Sequence, residues 1–323
     1  MFLVGCILLL LGTVASEQCL AISFSGGGSY GAFEASVLST LANILPKGQA
    51  EYHVVEGISA GSLNTAILSM YPYGSEADAA ELMSSLWLNG GDFAYTNWPG
   101  GVLQGILFES GIFSSSKAYE YVSACYSKPS IRRSAVGFVN LDNGQYEIIK
   151  ETAGHEAFFL GTMASCAIPG VYPTVQMNGH TYVDGGALLM MDVMSAINRC
   201  FEIADSQEEI TIDMVAVRPR IIDLNSDKMN SLEVYSRAKE IKDFANSLKH
   251  VLWAMSAYPN VNYRYYIMPL DILPGFRGLN FSKEIIEECL KAGTNATEYY
   301  VKNKIYAREV VHQFDDFTIY PSN

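Results

Sequence analysis

A chain of 323 residues that is 49% hydrophobic can bury one large core, so disorder is excluded as its default, and a single α/β domain of this size is ordinary. A net charge of −13 excludes nucleic acid as a partner, because phosphates call for a basic face, and excludes purely electrostatic docking on anionic lipid. Apolar contact with a membrane or lipid surface stays open.

Residues 1–16 carry no charged side chain. The apolar run from Phe2 to Leu11, followed by the small residues Val14, Ala15 and Ser16, has the form of a secretory signal peptide with its cleavage site. The run is short for a bilayer span, and it lacks the basic start usual in signal peptides. Leu3-Val4-Gly5-Cys6 looks like a lipidation box but precedes the apolar core, and we read it as coincidence. The expectation is a mature domain over residues 17–323 in the secretory pathway, extracellular or in a vacuole- or lysosome-like compartment. Of six cysteines, cleavage removes Cys6 and leaves Cys19, Cys125, Cys166, Cys200 and Cys289. That odd set lacks the paired close spacing of a metal site and leaves at least one thiol unpaired. Asn280-Phe281-Ser282 and Asn295-Ala296-Thr297 are glycosylation acceptor triplets.

Cys19–Phe24 reads as a buried strand. Ser25-Gly26-Gly27-Gly28-Ser29-Tyr30-Gly31 follows, then a helical pattern through Ala32, Val37, Leu38, Leu41 and Ile44 that Pro46 ends. Gly26, Gly28 and Gly31 satisfy the dinucleotide fingerprint G-x-G-x-x-G, with Glu51 and Glu56 at a plausible distance. In a dinucleotide site, however, the second strand would end in an acidic residue facing ribose, whereas Glu56 runs directly into Gly57-Ile58-Ser59-Ala60-Gly61. Consecutive glycines have another use, letting bare backbone N–H groups approach an oxyanion.

The run Val54-Val55-Glu56-Gly57-Ile58 halts at a serine and resumes in helix formers. A serine on a sharp strand-to-helix turn needs small neighbours, and a glycine lies two residues to each side of Ser59. The following helix would aim unpaired N–H groups and its positive dipole end at the charge that grows on an attacked carbonyl oxygen. The same pentapeptide also describes a plain tight turn, so other stretches must supply the rest of a hydrolase.

Residues 63–70 continue the helix and 76–88 form another. Residues 89–113 mix glycines with Phe93, Tyr95, Trp98, Leu103, Ile106, Leu107 and Phe108, the pattern of a loop-rich cover over the site or a lipid-facing rim. A helix follows near 117–125. Strands at 136–141 and 146–150 flank Asp142-Asn143-Gly144 as a hairpin. After a helix near 155–166 and the stretch Ala164-Ser165-Cys166-Ala167-Ile168-Pro169-Gly170, a second hairpin turns at Asn178-Gly179 and delivers Asp184-Gly185-Gly186 at its far end. The two glycines let the backbone fold closely around a partner of Asp184. The plain alternative is an Asx-turn or a cap for a helix over 187–197. Strands at 210–217 and 263–270 come next. Leu232, Tyr235, Ala238, Ile241, Ala245, Leu248 and Leu252 form an apolar helical stripe, and helices near 282–291 and 297–311 close the chain.

Gly26-Gly27-Gly28 after the first strand, the Ser59 pentapeptide after the second, residues 164–170 and Asp184-Gly185-Gly186 together resemble the patatin-like phospholipases in order and context. The resemblance covers roughly residues 19–200. It implies a three-layer α/β/α domain with a mostly parallel central sheet. It also implies Ser59 as nucleophile, Asp184 as general base, and Gly26, Gly27 and Gly28 as the oxyanion loop, supported by Gly57, Gly61, Gly185 and Gly186. No metal and no cofactor are implied, and the substrate is a phospholipid or other acyl lipid. One position departs. The family usually carries Arg or Lys where this chain has Tyr30, which weakens oxyanion stabilisation unless the tyrosine hydroxyl replaces part of it.

The expected function is therefore secreted lipid acyl hydrolysis through an acyl-enzyme on a Ser59-Asp184 dyad. Two rivals stand beside it: a Ser-Asp-His α/β-hydrolase using His250 or His312, and a catalytically weak binding or storage protein on the same fold. Secreted material should have an intact mass that begins near Glu17. Membrane-bound protein that retains residues 1–16 would overturn the secretory reading.

Overall fold

The structure, a computed structural model, describes residues 18–218, 228–275 and 277–314. The expected signal peptide and Cys6 lie outside them. Eight strands form one sheet: β1 (Cys19–Phe24), β2 (Val54–Ile58), β3 (Arg133–Asn140), β4 (Tyr146–Lys150), β5 (Val175–Met177), β6 (His180–Asp184), β7 (Ile210–Val215) and β8 (Asn262–Ile267). The order is β5-β6-β3-β2-β1-β7-β8, with β4 on the other side of β3. From β3 to β8 all neighbours run parallel, and β4, β6 and β5 add an antiparallel margin. β1 and β2 are buried at every residue, as strands covered on both faces must be.

The helices are α1 (Gly31–Ile44), α2 (Ala60–Ser69), α3 (Glu76–Asn89), α4 (Gly91–Ala94), α5 (Gly101–Phe108) and α6 (Ser116–Cys125), then α7 (His155–Ser165), α8 (Val193–Cys200), α9 (Ser231–Ala257), α10 (Lys283–Lys302) and α11 (Ala307–His312). α1, α2, α3 and α10 pack together on one face of the sheet, with α7 beside α2; α8 crosses the strands and carries α9. The result is the expected three-layer α/β/α domain. Among the described residues no helix is long and apolar enough to cross a membrane.

Several sequence expectations shift. Residues 89–113 hold two short helices, α4 and α5, instead of loop alone. The helix expected over 187–197 begins at Val193, where the Asp192 carboxylate accepts the Ser195 N–H at 3.1 Å. The two closing helices are one, α10, followed by the short α11. On α9 the expected stripe holds at Leu248 and Leu252, which pack on the core, but fails nearer the start of the helix. Tyr235 and Ile241 are exposed, whereas Phe244, Leu248, Val251, Ala254 and Met255 are buried together with Ser236 and Ser247. Small polar residues on the buried face misled a reading based on apolarity.

Two buried ion pairs and one disulfide tie the layers. Cys19 of β1 joins Cys200 of α8, leaving Cys125, Cys166 and Cys289 as thiols. Arg264 of β8 pairs with the fully buried Asp213 of β7, which also accepts the Tyr52 hydroxyl at 2.7 Å. Arg132, just before β3, is buried. It donates to the carbonyls of Tyr52, Tyr71 and Pro72 and to Glu76 at the start of α3. Replacing Arg132 by Met leaves the buried Glu76 carboxylate unpaired. We expect a loss of about 3–5 kcal/mol, read as a lower urea midpoint at unchanged m value.

Candidate active site

β3 brings the two halves of the site together. Gly137 pairs with Ile58, the last residue of β2, and the next residue, Phe138, pairs with Asp184, the last residue of β6. Both β3 residues meet β4 on the opposite side, at Ile148 and Glu147. β2 and β6 therefore lie end to end along the same edge of β3, running toward each other. The residues that leave their C-terminal ends meet, and these are Ser59 and the Asp184 loop.

Ser59 has φ 54° and ψ −120°, a conformation costly for a residue with a side chain and characteristic of functional turns. The turn closes because a Cβ on Gly57 would lie 2.2 Å from the Gly61 carbonyl oxygen, and one on Gly61 would lie 2.5 Å from that of Phe24. α2 begins at Ala60, so its unpaired N–H groups open toward the site. Both Ser59 and Asp184 are buried. The Ser59 hydroxyl lies near enough to the Asp184 carboxyl to lower its pKa, and Gly186 donates its N–H to Asp184 Oδ1 at 2.7 Å. Burial pushes the Asp184 pKa up to about 7, against the Ser59 hydroxyl, the Gly186 N–H and the charge of Lys239, which lower it. The cap-like bond to Gly186 is the Asx-turn alternative, and the structure contains it with the Ser59 hydroxyl beside the same carboxyl.

The glycine loop lies against the serine, since a Cβ on Gly26 would sit 3.2 Å from that of Ser59. The Gly26 N–H is already used, donating to the Met190 carbonyl at 2.7 Å. Gly27 and Gly28 make no such bond among the described residues, so theirs are the loop N–H groups left unused there. Gly28 has φ +61° and a Cβ there would fall 2.2 Å from the Gly278 carbonyl, which accepts the Ser29 N–H. Tyr30 does not stand in for a missing cation. Its hydroxyl donates to the carbonyl of Gly275 at 3.0 Å, and its ring lies 5.4 Å from the Arg218 guanidinium carbon.

Sequence reading missed the frame behind this loop. Glu34 on α1 is fully buried. It accepts from Asn64 Nδ2 at 2.9 Å and from Ser25 Oγ, and Asn64 in turn accepts the Trp87 indole N–H. Burial holds the Glu34 pKa well above the usual carboxylate range. These residues knit the glycine loop to α2 and α3, but they are scattered in sequence and belong to no motif.

Ser59 opens into an apolar cavity walled by Leu63, Trp87, Phe93, Val122, Met163 and Tyr172. α5 packs at Gly105 against Ile112, where a Cβ would fall 2.2 Å from the Ile112 carbonyl oxygen, and Ile112 and Phe113 in turn donate to the carbonyls of Gly170 and Val171 beside the cavity-lining Tyr172. Its outward face is bare of charge and strongly exposed, Leu103 to 66% and Phe108 to 81%. Trp98, expected on the same rim, is instead half-buried with its indole N–H donated to the Gly111 carbonyl at 3.1 Å. Of the two histidines expected in a triad, His250 sits on α9 edge-on to Trp253 and His312 on α11, which packs on β8. Among the described residues no cluster of three or more His, Cys, Asp or Glu is placed to hold a metal.

Comparison with curated protein sequences finds no match. Comparison with solved structures finds 14 similar chains. Among them is the crystal structure of VipD from Legionella pneumophila, at 12% identity and a TM-score of 0.45, over 89% of this chain and 67% of that one. A family model, that of the patatin-like phospholipases, matches residues 22–197. That span is more than half of the chain, so the protein belongs to the patatin-like phospholipase family, a membership that supports lipid acyl hydrolase activity.

Proposed function

We propose that the protein is a secreted serine lipid acyl hydrolase, of phospholipase A or lysophospholipase type, working through a Ser59-Asp184 dyad. The observation that carries this reading is the meeting of the buried Ser59 hydroxyl, which lines the apolar cavity, with the buried Asp184 carboxyl, whose pKa it lowers. Ser59 Oγ attacks the ester carbonyl while Asp184 takes its proton. The oxyanion that forms is held by the N–H groups of Gly27 and Gly28 and the first turn of α2. Collapse expels the alcohol with the proton from Asp184 and leaves an acyl-enzyme, whose chain lies in the cavity. Water deprotonated by Asp184 then releases the acid. No step calls on a metal.

The residues bearing on the Asp184 carboxyl, Ser59, Gly186 and Lys239, support a dyad over a triad. Ser59→Ala and Asp184→Asn are each expected to lower kcat about 10³-fold or more. Single replacements of His53, His155, His180, His250 and His312 should keep appreciable activity. His180 needs a check of thermal unfolding, since it bonds Asp142 at 3.2 Å on the strand that carries Asp184. A folded His250 or His312 variant as inactive as Ser59→Ala would replace the dyad with a triad.

The base works as a carboxylate, so kcat/KM should rise about tenfold per pH unit below pH 7 and level off above it. The same shift has a stability consequence. Asp184 titrates near 7 folded and near ~3.9 unfolded. The folded state therefore holds the extra proton, and the stability this gives is complete below pH ~3.9 and lost as pH rises through 7. Asp184→Asn should melt above wild type at pH 8 and lose that advantage at pH 4.

Secretion is part of this proposal, supported by the apolar residues 2–11 and by the Cys19–Cys200 disulfide, a bond favoured in oxidising compartments. So is transient contact of α5 with a lipid surface. Leu103→Ser with Phe108→Ser should cut turnover of phospholipid vesicles about fivefold or more while sparing a soluble short-chain ester. Equal losses on both substrates would assign α5 to ordinary packing.

A further inference from the structure

Three consecutive residues at the end of α7 hold the backbones of both proposed catalytic residues. Ser165 Oγ accepts the Ser59 N–H at 2.8 Å and donates to the Gly137 carbonyl at 2.6 Å. Cys166 Sγ donates to the Ser59 carbonyl at 3.2 Å. The Ala167 carbonyl accepts the Asp184 N–H at 3.0 Å. One turn of chain thus grips the nucleophile at its N–H and its C=O and the base at its N–H.

The Ser165 hydroxyl is not an ordinary helix serine. Other buried hydroxyls on helices, such as Thr40, Thr162 and Thr297, bond a carbonyl four residues back on their own helix. Ser165 bonds neither its own helix nor solvent. It is completely buried and interposed between Ser59 and Gly137, where β2 has ended and β6 takes over the edge of β3. The strained Ser59 turn leaves a buried N–H that needs an acceptor, and this hydroxyl supplies one while anchoring itself to the strand that sets the register. Cys166 suits its part as well. Burial pushes its pKa up to about 12, so it stays a protonated donor.

We propose that residues 165–167 form a positioning clamp that sets the approach of Ser59 to Asp184, with Ser165 as its positioning residue. The proposal rests on the catalytic reading of Ser59 and Asp184 given above. Cys166 and Ala167 also line the acyl cavity but Ser165 does not, so loosening the clamp at Ser165 moves the serine relative to the base and leaves the cavity walls in place. Such a shift lowers kcat and spares KM, because misplacement of a reacting group by about 1 Å costs about 10²-fold. It also draws the Ser59 hydroxyl away from the Asp184 carboxyl, whose pKa that hydroxyl lowers, so the acid limb of the rate profile moves to higher pH.

The test compares wild type, Ser59→Ala, Ser165→Ala and Ser165→Cys on a soluble short-chain ester, with near-UV circular dichroism to establish folding and kcat/KM recorded from pH 5 to pH 9. For Ser165→Ala we expect kcat lowered about 10²-fold, KM within about twofold and the acid limb displaced upward. A fall in the fraction of folded protein would lower the amplitude and leave the limb in place. The thiol of Ser165→Cys is a weaker acceptor of similar shape. That variant should give an intermediate kcat and a smaller displacement in the same direction, and it decides the question if the alanine variant does not fold. A folded variant with kcat within about threefold of wild type and an unmoved limb overturns the clamp while the dyad stands. A wild type no faster than Ser59→Ala overturns the dyad and the clamp with it.

Discussion

The pairing of β3 with two different strands along one edge is the constraint from which the site follows. β2 arrives parallel and stops opposite Gly137; β6 arrives antiparallel and stops opposite Phe138. Neighbouring strands lie about 4.8 Å apart and successive residues about 3.3 Å along a strand, so these two endings converge within one residue step. Gly185 must then pass close to the same carbonyl, and a Cβ there would fall 2.5 Å from Gly137 O. A slip of one residue in either pairing would turn the side chains to the opposite face of the sheet. Register is thus the source of the geometry, and the local turns finish it.

Around this junction the fold gives up stability for arrangement. Ser59 is held at positive φ, Asp184 and Glu34 are carboxyls in places that disfavour their charge, and Gly27 and Gly28 keep N–H groups unused among the described residues. Each is costly alone. Their neighbours offset the cost: Ser165 for the Ser59 N–H, Gly186 for Asp184, and Asn64 and Ser25 for Glu34. The scaffold supplies the surplus through continuous buried strands and through Arg132 and Arg264, paired with the buried carboxylates of Glu76 and Asp213. A preorganised donor set and a base tuned toward neutrality are what acyl transfer asks of a protein.

How far the sequence spoke depended on whether a feature was local. The buried strands, the glycine loop, the turn at Ser59 and both hairpins each rest on residues a few positions apart, and all were legible. Asp184 was marked by the hairpin before it and the glycines after it, and Ser59 by glycines on each side. Features decided by distant partners were not legible. The occupation of the Gly26 N–H by Met190, the turning of the Tyr30 hydroxyl toward Gly275, and the union of Glu34, Asn64 and Trp87 all depend on where remote loops come to lie. The α9 stripe held at Leu248 and failed at Tyr235 and Ile241, because Ser236 and Phe244 face inward in their place. Residues 164–170 were recognisable as a stretch, yet the division of labour among Ser165, Cys166 and Ala167 required coordinates.

The central claim is that Ser59 is a nucleophile activated by its neighbour. Treating the purified protein with a fluorophosphonate and mapping the adduct by peptide mass spectrometry tests it most directly. The account predicts a single adduct at Ser59, formed faster as pH rises through 7 and absent after Asp184→Asn. An unlabelled protein that is folded, or an adduct confined to another serine, would contradict it.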